Sequence, residues 1–437
     1  MLSAFASAFR TPDLRKKLLF TLGIIALFRL GSVVPTPGVD YKNIQKCIEA
    51  VQDNSIYSLI NLFSGGALLQ LSVFALGIMP YITASIIIQL LTVVIPRLEN
   101  LRQEGQAGQA TLTQYTRYLT IALAVLQSTG IIALARVPGR LFQGCNESLL
   151  HNNSVMLTLT MILTMTAGTG VIMWLGENIT DRGVGNGMSL LIFTSIIATF
   201  PGQLWQIATI NGPFALVLTL TVGVAIIAGV VYVEQAQRRI PVQYAKRMVG
   251  RKMYGGTSTY IPLKVNMAGV IPVIFASSLL YVPQLIVQLS GSQSSWAQWV
   301  SANLQRGDQP AYLILYAILI IFFTYFYVAI TFNPVEVADN MKKYGGFIPG
   351  IRPGKRTADY IDRVLTRITM GGAIYLSAVC VLPTILTSEF NVPFYFGGTA
   401  LLIVVGVSMD TMAQLESHLL QRNYEGFLKK GVMKGRR

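Results

Sequence analysis

The sequence predicts an all-α integral membrane protein with ten transmembrane helices. Three observations lead to this fold class. Of the 437 residues, 52% are hydrophobic and only 12% are charged, with a mean hydropathy of +0.54, whereas soluble domains carry about 25% charged residues. The chain also contains long runs without a charged residue, and its basic residues cluster in alternate loops. A soluble single-domain enzyme is therefore excluded.

The charge-free runs locate the membrane spans. A helix that crosses about 30 Å of hydrocarbon needs roughly 20 apolar residues. Run 183–233 is divided by turn signals at Pro201 and 211–213, and run 265–305 ends in a polar segment at 290–295. The predicted spans are 18–36, 73–96, 117–136, 153–175, 188–203, 214–233, 266–287, 311–332, 368–387 and 394–413.

The loop charges predict the orientation, because Lys and Arg are retained on the cytoplasmic side. With the N-terminus inside, the inner segments hold 28 of the 34 Lys and Arg residues and the outer loops hold five, while Arg29 lies inside a span. Both termini are therefore predicted to be cytoplasmic, as an even number of spans requires.

Residues 60–71 precede the second span and are too short and too polar for a lipid-facing helix. They include Asn61, Gln70 and two adjacent glycines. Polar or irregular backbone at membrane depth is tolerated only where it is buried in protein or lines a water-filled cavity. We predict a re-entrant segment that enters from the outside. The alternative is an amphipathic helix lying at the membrane interface.

Ionisable groups, which usually mark substrate or ion sites in transporters, are nearly absent from the spans. Only Arg29 lies inside one, while Glu177 and Asp410 lie at cytoplasmic ends and His151 and His418 near opposite faces. This spacing predicts no metal site, and no phosphate-binding P-loop motif is present. We expect no cofactor and no enzymatic chemistry.

The three cysteines allow at most one disulfide. Cys47 and Cys145 fall in outer loops and Cys380 falls in a span. A bond between Cys47 and Cys145 is compatible with the oxidising side, but two unrelated free thiols are the expectation.

Two cytoplasmic loops, 234–264 and 333–367, carry seven Lys and Arg residues each. Such patches suit RNA phosphates, anionic lipid or an acidic protein partner, and the alternative is a simple orientation signal with headgroup contact. Within the second span, Ile78, Ile82 and Ile86 share one helix face. Taken alone, that stripe favours a lipid-facing surface.

Seven blocks in order resemble the bacterial SecY family, whose members are the central subunit of the Sec protein-conducting channel. The opening 9–17 (FRTPDLRKK) is similar to actinobacterial members. The blocks are 63–68 (FSGGAL), 74–82 (FALGIMPYI), 114–118 (QYTRY), 182–187 (RGVGNG), 262–272 (PLKVNMAGVIP), 347–354 (FIPGIRPG) and 392–399 (VPFYFGGT).

The resemblance implies two pseudo-symmetric five-helix halves, 1–205 and 206–437, and a short re-entrant plug helix that blocks the outer funnel. It implies a plug formed around Phe63, Ser64, Gly65, Gly66, Ala67 and Leu68. It also implies an aliphatic pore ring formed by Ile82, Ile86, Met188, Ile192, Ile274 and Ile403, in which Met188 replaces a residue that is normally aliphatic.

The family also implies a lateral gate with a polar cluster at Thr92, Gln127 and Asn266. Its basic loops dock on the motor ATPase SecA and on the ribosome. Arg352 is the candidate for SecA coupling, and the candidates for ribosomal RNA contacts are Lys246, Arg247, Arg251 and Lys252. The implied partners are further SecE, SecG, signal peptides, nascent chains and membrane lipid.

The predicted function is a protein-conducting channel in the bacterial cytoplasmic membrane. It would pass unfolded secretory polypeptides and release transmembrane segments sideways into lipid. The alternative from another class is an ion-coupled secondary transporter, for which Arg29 alone makes a poor site. A ribosome-binding membrane scaffold would leave the ring and plug unexplained.

Overall fold

A computed structural model of the chain describes residues 11–50, 64–137, 147–151, 154–210, 212–244, 247–249, 252–254, 258–290, 295–304, 309–390 and 397–431. Within these ranges the fold is almost entirely helical. Ten of the helices coincide with the ten predicted spans. They are α1 (Pro12–Val33), α3 (Met79–Val94), α5 (Gln106–Ala135), α6 (Val155–Arg182), α7 (Gly187–Ile210), α8 (Gly212–Gln235), α9 (Ile271–Ser290), α11 (Pro310–Thr331), α13 (Lys355–Phe390) and α14 (Gly398–Gly431).

Four shorter helices lie between them: α2 (Tyr41–Ala50), α4 (Pro96–Gln103), α10 (Ser295–Asn303) and α12 (Pro334–Lys343). Seven of the described helices are long and apolar enough to cross a membrane, or eight if the bent pair α3 and α4 counts as one span. That pair bends by 101°. The bend follows from Pro96, because Ile95 before it is extended (φ −102°, ψ 112°), as steric conflict with a proline ring requires.

Several helices extend beyond their predicted spans. Helix α13 begins at Lys355 although the apolar span was predicted from residue 368, and α14 continues to Gly431. A helix outside the bilayer does not have to be apolar, so hydropathy marks the membrane-embedded part but not the helix end.

The two basic loops form a small antiparallel sheet that the sequence analysis did not predict. Its strands are β1 (Gln237–Tyr244), β4 (Ser258–Lys264) and β5 (Gly346–Phe347), in the order β4-β1-β5. A second hairpin pairs β2 (Arg247–Val249) with β3 (Lys252–Tyr254). Loop 333–367 therefore pairs directly with loop 234–264, and both pack on an apolar core that includes Ile240, Val242, Leu263, Met341 and Ile361.

The chain divides into two compact units. The first comprises residues 1–206, 282–307 and 403–437, and the second comprises 207–281 and 308–402. The second unit contains the sheet and a buried hydrogen bond of 2.8 Å between the hydroxyls of Tyr316 and Thr399, which joins α11 to the start of α14.

The core of the first unit surrounds residues 64–78, which we call the turn segment. Leu68, Leu71 and Ala75 pack with side chains of α2, α5 and α6 in one apolar cluster. The described part of the predicted re-entrant helix, 64–71, is a series of turns rather than a helix. Positive φ angles at Gly65, Gly66 and Leu71 explain the difference, because these left-handed positions cannot continue a right-handed helix.

The cysteine expectation was wrong for Cys47. This residue is disulfide-bonded, and among the described residues only Cys380, which is buried, is a free thiol. Cys145 lies outside the described residues. Composition and spacing allowed the bond but could not favour it, since pairing depends on the distance between the two Cα atoms in the fold.

Gly168 on α6 tests how tightly the turn segment is packed. A Cβ at Gly168 would lie 2.1 Å from the carbonyl oxygen of Val73, whereas a Cβ at Gly170 would meet nothing closer than a Ile121 methyl at 3.7 Å. We predict that Gly168→Ala destabilises the protein by about 1–3 kcal/mol through overpacking.

The measurement is thermal unfolding of the purified protein in detergent. Gly170→Ala is the matched control on the same helix, and it should be neutral or slightly stabilising because alanine is the better helix former. Equal stability of the two variants would contradict the close approach of Val73.

Candidate functional site

The turn segment has irregular backbone, and several of its backbone polar groups form hydrogen bonds with residues 34–36 of the same chain. The amide and hydroxyl of Thr36 both donate to the carbonyl oxygen of Leu71, at 3.0 and 2.7 Å, and the amide of Val73 donates to Val34 at 2.9 Å. Inside the segment, the hydroxyl of Ser64 accepts from the amide of Leu68 at 3.2 Å. Most of its residues are buried. This arrangement meets the requirement that non-helical backbone at membrane depth be enclosed by protein.

Of the predicted plug residues, Ser64, Ala67 and Leu68 are buried, at 2%, 0% and 4% exposure. Gly65 is buried and Gly66 is partly buried, while Phe63 lies outside the described residues. The turn segment also receives a side-chain bond from a neighbouring helix, since the guanidinium of Arg29 on α1 donates to the carbonyl oxygen of Gly65 at 2.8 Å. The sequence analysis singled out Arg29 as the one charge inside a span but did not identify this partner.

The predicted ring residues are almost all buried within the protein. Ile82, Ile86, Ile192, Ile274 and Ile403 are at most 9% exposed, and Met188 is partly exposed. The isoleucine stripe of α3 thus faces protein, and the lipid-facing alternative for that stripe was wrong. Ile274 belongs to the second unit and the other five to the first.

Met188 owes its position to the motif 182–187. The side-chain oxygen of Asn186 accepts from the amides of Met188 and Ser189, at 3.1 and 3.4 Å, which caps the first turn of α7. The amide of Gly187 donates to the hydroxyl of Thr180 at 2.9 Å. The motif therefore fixes the direction in which the helix carrying Met188 and Ile192 leaves α6.

Of the three predicted gate residues, Thr92 lies on α3, Gln127 lies on α5 and Asn266 lies in the loop before α9. In the first unit Thr92 is buried and donates to the carbonyl oxygen of Gln89 at 2.6 Å, and Gln127 is partly buried. In the second unit Asn266 is 3% exposed, and its amide nitrogen donates to the carboxylate of Glu234 at 2.6 Å and to the carbonyl oxygen of Gly269 at 3.1 Å.

Glu234 was missed by sequence reasoning as a partner of Asn266. Glu234 directly follows the charge-free run 183–233 and lies in the last turn of α8, where a lone carboxylate indicates only the end of a span. The side-chain oxygen of Asn266 is buried and has no hydrogen-bond partner in the described structure. The contact with Glu234 therefore fixes which way the amide points and leaves its acceptor free.

The basic surface of the second unit is exposed. Arg352 is exposed at the turn between β5 and α13, and its carbonyl oxygen accepts from the buried hydroxyl of Thr357 at 2.9 Å. Positive φ angles at Gly350 and Gly354 form the tight turns on either side. The tip is thus anchored through its backbone, and the Arg352 side chain projects into solvent.

Two further predicted docking residues, Lys246 and Arg251, lie outside the described residues. For Arg247 and Lys252 the structure describes strand backbone only, in β2 and β3.

The block 114–118 contains a bidentate ion pair in the first unit. Arg117 donates from Nε and Nη2 to the two carboxylate oxygens of Glu177, at 2.8 Å each, and from Nη1 to the side chain of Gln114 at 3.1 Å. The pair joins α5 to α6. Fork-to-fork geometry fixes the relative orientation of two helices better than a single charge contact does.

The contact between Glu234 and Asn266 gives a testable prediction. Replacing Glu234 with alanine removes the acceptor of a charge-assisted hydrogen bond, which is worth about 1.5–3 kcal/mol. Glu234→Ala should therefore lower the thermal stability of the protein in detergent. Glu234→Gln keeps an acceptor oxygen and should retain a large part of that stability. If the two variants lose the same stability, the bond to Asn266 is not what Glu234 contributes.

Comparison with known proteins identifies the family. The SecY family model matches residues 72–412. The chain belongs to the SecY family. It is 62% identical over 438 residues to the protein translocase subunit SecY of Streptomyces scabiei and 59% identical over 444 residues to that of Mycobacterium bovis. Each match covers 98% of this chain and 100% of the relative, which confirms the predicted resemblance, including its similarity to actinobacterial members.

Solved structures confirm the fold. One described as a protein conducting channel superimposes with a TM-score of 0.63 at 18% identity, and covers 92% of this chain and 91% of that one. A SecY structure in which the plug domain is reported to stabilise the closed channel and maintain a membrane seal gives 0.62 at 19% identity, with the same coverage. The channel Sec61 in a canine ribosome–channel complex gives 0.59 at 17%, again with that coverage. The prediction of an all-α membrane protein of the SecY type is therefore confirmed.

Proposed function

We propose that this chain forms the channel through which unfolded polypeptides cross the bacterial cytoplasmic membrane and from which transmembrane segments pass into lipid. The observation that carries the proposal is a buried, non-helical turn segment in a chain of the SecY family. An ion-coupled secondary transporter has no support in the comparisons, because the matching relatives are translocase subunits. The role is conduction and not catalysis.

In this proposal residues 63–68 are the plug that closes the resting pore. The buried positions of Ser64, Ala67 and Leu68 and the small size of the glycines support it. Small side chains at 64–67 allow close packing in the closed state, and among the described plug residues Leu68 makes the large apolar contact that must break when a polypeptide enters.

The ring formed by Ile82, Ile86, Met188, Ile192, Ile274 and Ile403 seals the pore around a moving chain. An apolar constriction blocks hydrated ions by dewetting, and flexible Met188 can adapt to different side chains. The ring offers no hydrogen bonds from its side chains, so it suits a conduit that must bind no particular sequence.

Thr92, Gln127 and Asn266 form the polar part of a lateral gate. Buried polar contacts between membrane helices are worth about 0.6–2 kcal/mol each, so an apolar signal helix can displace them. The burial of Thr92 and Asn266 supports this role.

The basic surface of the second unit docks cytoplasmic partners. Arg352 couples the channel to SecA, and Lys246, Arg247, Arg251 and Lys252 contact ribosomal RNA phosphates. The exposed Arg352 at an anchored tip supports this assignment, as does the ribosome-bound state of the Sec61 structure. SecE and SecG complete the channel.

The proposal includes a topology in which both termini are cytoplasmic and the halves are 1–205 and 206–437. The orientation is supported by the concentration of Lys and Arg in alternate loops. The division into halves rests on the family resemblance.

Ion conductance in planar bilayers tests the proposal. We predict that the protein, purified with its small subunits, is closed to ions at rest. Deletion of residues 60–71 should open an ion leak, because the plug is lost, and Ile403→Asn should do the same, because a polar ring residue permits wetting. If both variants stay as tight as the unmodified channel, the plug and ring assignments fail.

A further inference from the structure

Arg29 is the one charged residue in an otherwise apolar span. It lies in the middle of span 18–36, in which every other residue is uncharged. The side chain is partly buried, and it does not pair with a carboxylate at ion-pair distance in the described structure. Its described partner is the backbone carbonyl of Gly65, 36 residues along the chain. A guanidinium in a membrane span marks a functional position by default.

Helix α1 also holds the turn segment at a second place. Phe28 stacks on Phe74 with 5.9 Å between ring centroids. A Cβ at Gly31 would lie 2.1 Å from the Phe74 ring, so this glycine makes room for it. The aromatic contact holds the end of the segment nearest α3, and the Arg29 bond holds its beginning.

Gly65 is adapted to this bond. Its φ of +63° is a conformation that favours glycine, and a Cβ there would lie 2.9 Å from Nη1 of Arg29 and 3.0 Å from Cα of Ser195 on α7. Gly66 has a similar left-handed conformation (φ +91°), but a Cβ there would meet nothing within 4 Å. The crowding at Gly65 therefore comes from the close approach of α1 and α7 and not from the turn alone.

We propose that Arg29 is the latch of the closed plug, with its guanidinium holding the carbonyl of Gly65 until an entering polypeptide displaces the segment. This inference rests on the proposed plug function. A single charge-assisted bond at the start of the segment suits this role, because it adds a defined barrier to opening at the end that carries the plug residues. Water admitted to the open pore then solvates the released guanidinium.

The test compares resting open probability in planar bilayers for variants of the complete complex. Arg29→Met removes every donor and should raise the open probability about tenfold or more, since a hydrogen bond to a charged group is lost. Arg29→Lys retains a charged donor on a shorter chain and should give an intermediate value.

Gly65→Ala disrupts the same hydrogen bond at its acceptor residue and leaves Arg29 unchanged. Gly66→Ala carries the left-handed penalty without the clash, so the excess leak of Gly65→Ala over Gly66→Ala measures the close contacts of Gly65 with Arg29 and Ser195. Equal leaks from the two alanine variants would overturn it, and so would a tight Arg29→Met channel.

Deletion of 60–71 separates this inference from the proposed function. If the deletion leaks and Arg29→Met does not, the plug stands and the latch fails. If the deletion itself stays tight, the proposed function fails. Arg29→Met combined with the deletion should leak no more than the deletion alone, because a latch acts only through the plug. A larger leak in the combined variant would show that Arg29 acts elsewhere and would overturn the proposal.

Discussion

The structure depends on one constraint, which is that irregular backbone inside a membrane must find its hydrogen-bond partners within the protein. The turn segment 64–78 meets this constraint through bonds from Arg29 and Thr36 and to Val34. An unsatisfied amide in an apolar environment costs about 2–7 kcal/mol, depending on the reference state. Helix α1 and the extended residues that follow it supply these partners. Gly168 on α6 lets a segment carbonyl approach the helix backbone closely.

The scarcity of charged residues in the spans follows from the function of the channel. A polypeptide conduit must not bind any side chain well, so it cannot be lined with groups that attract particular charges. In the proposed ring, apolar side chains such as Ile192 and Ile403 would close around any chain and exclude hydrated ions when the pore is empty. Charged residues occur instead where they form an ion pair or are exposed to solvent. Examples are the pair of Arg117 with Glu177 and the exposed basic loops.

The sequence was sufficient to predict the helices because hydropathy is a local property. Charge-free runs predicted positions at which the structure has helices, and segment 60–71 was predicted to be re-entrant, although as a short helix. The partners of Arg29 and Asn266 were not predictable, since each contact joins residues more than 30 positions apart in the chain. The sheet was missed for a different reason. The alternation of Ile240 and Val242 with other residues is a strand signal. The basic composition of the loop was instead interpreted as a binding surface, and no strand was predicted there.

The disulfide at Cys47 shows the same limit. Spacing allowed a bond and could not decide it, because the distance between two cysteines is a property of the fold. Backbone geometry at Gly65 and Leu71 also lay beyond sequence reasoning. The segment was predicted to be a short helix, whereas the left-handed conformations at these residues prevent one from forming.

The central claim is that a polypeptide passes through the ring inside this chain. The most direct measurement places a photo-crosslinking amino acid at Ile192, which is 3% exposed, and at Leu163 on α6, which is 68% exposed, and stalls a secretory polypeptide in transit. We predict that the stalled chain crosslinks to position 192 and not to position 163. Crosslinks at position 163 with none at 192 would contradict the account.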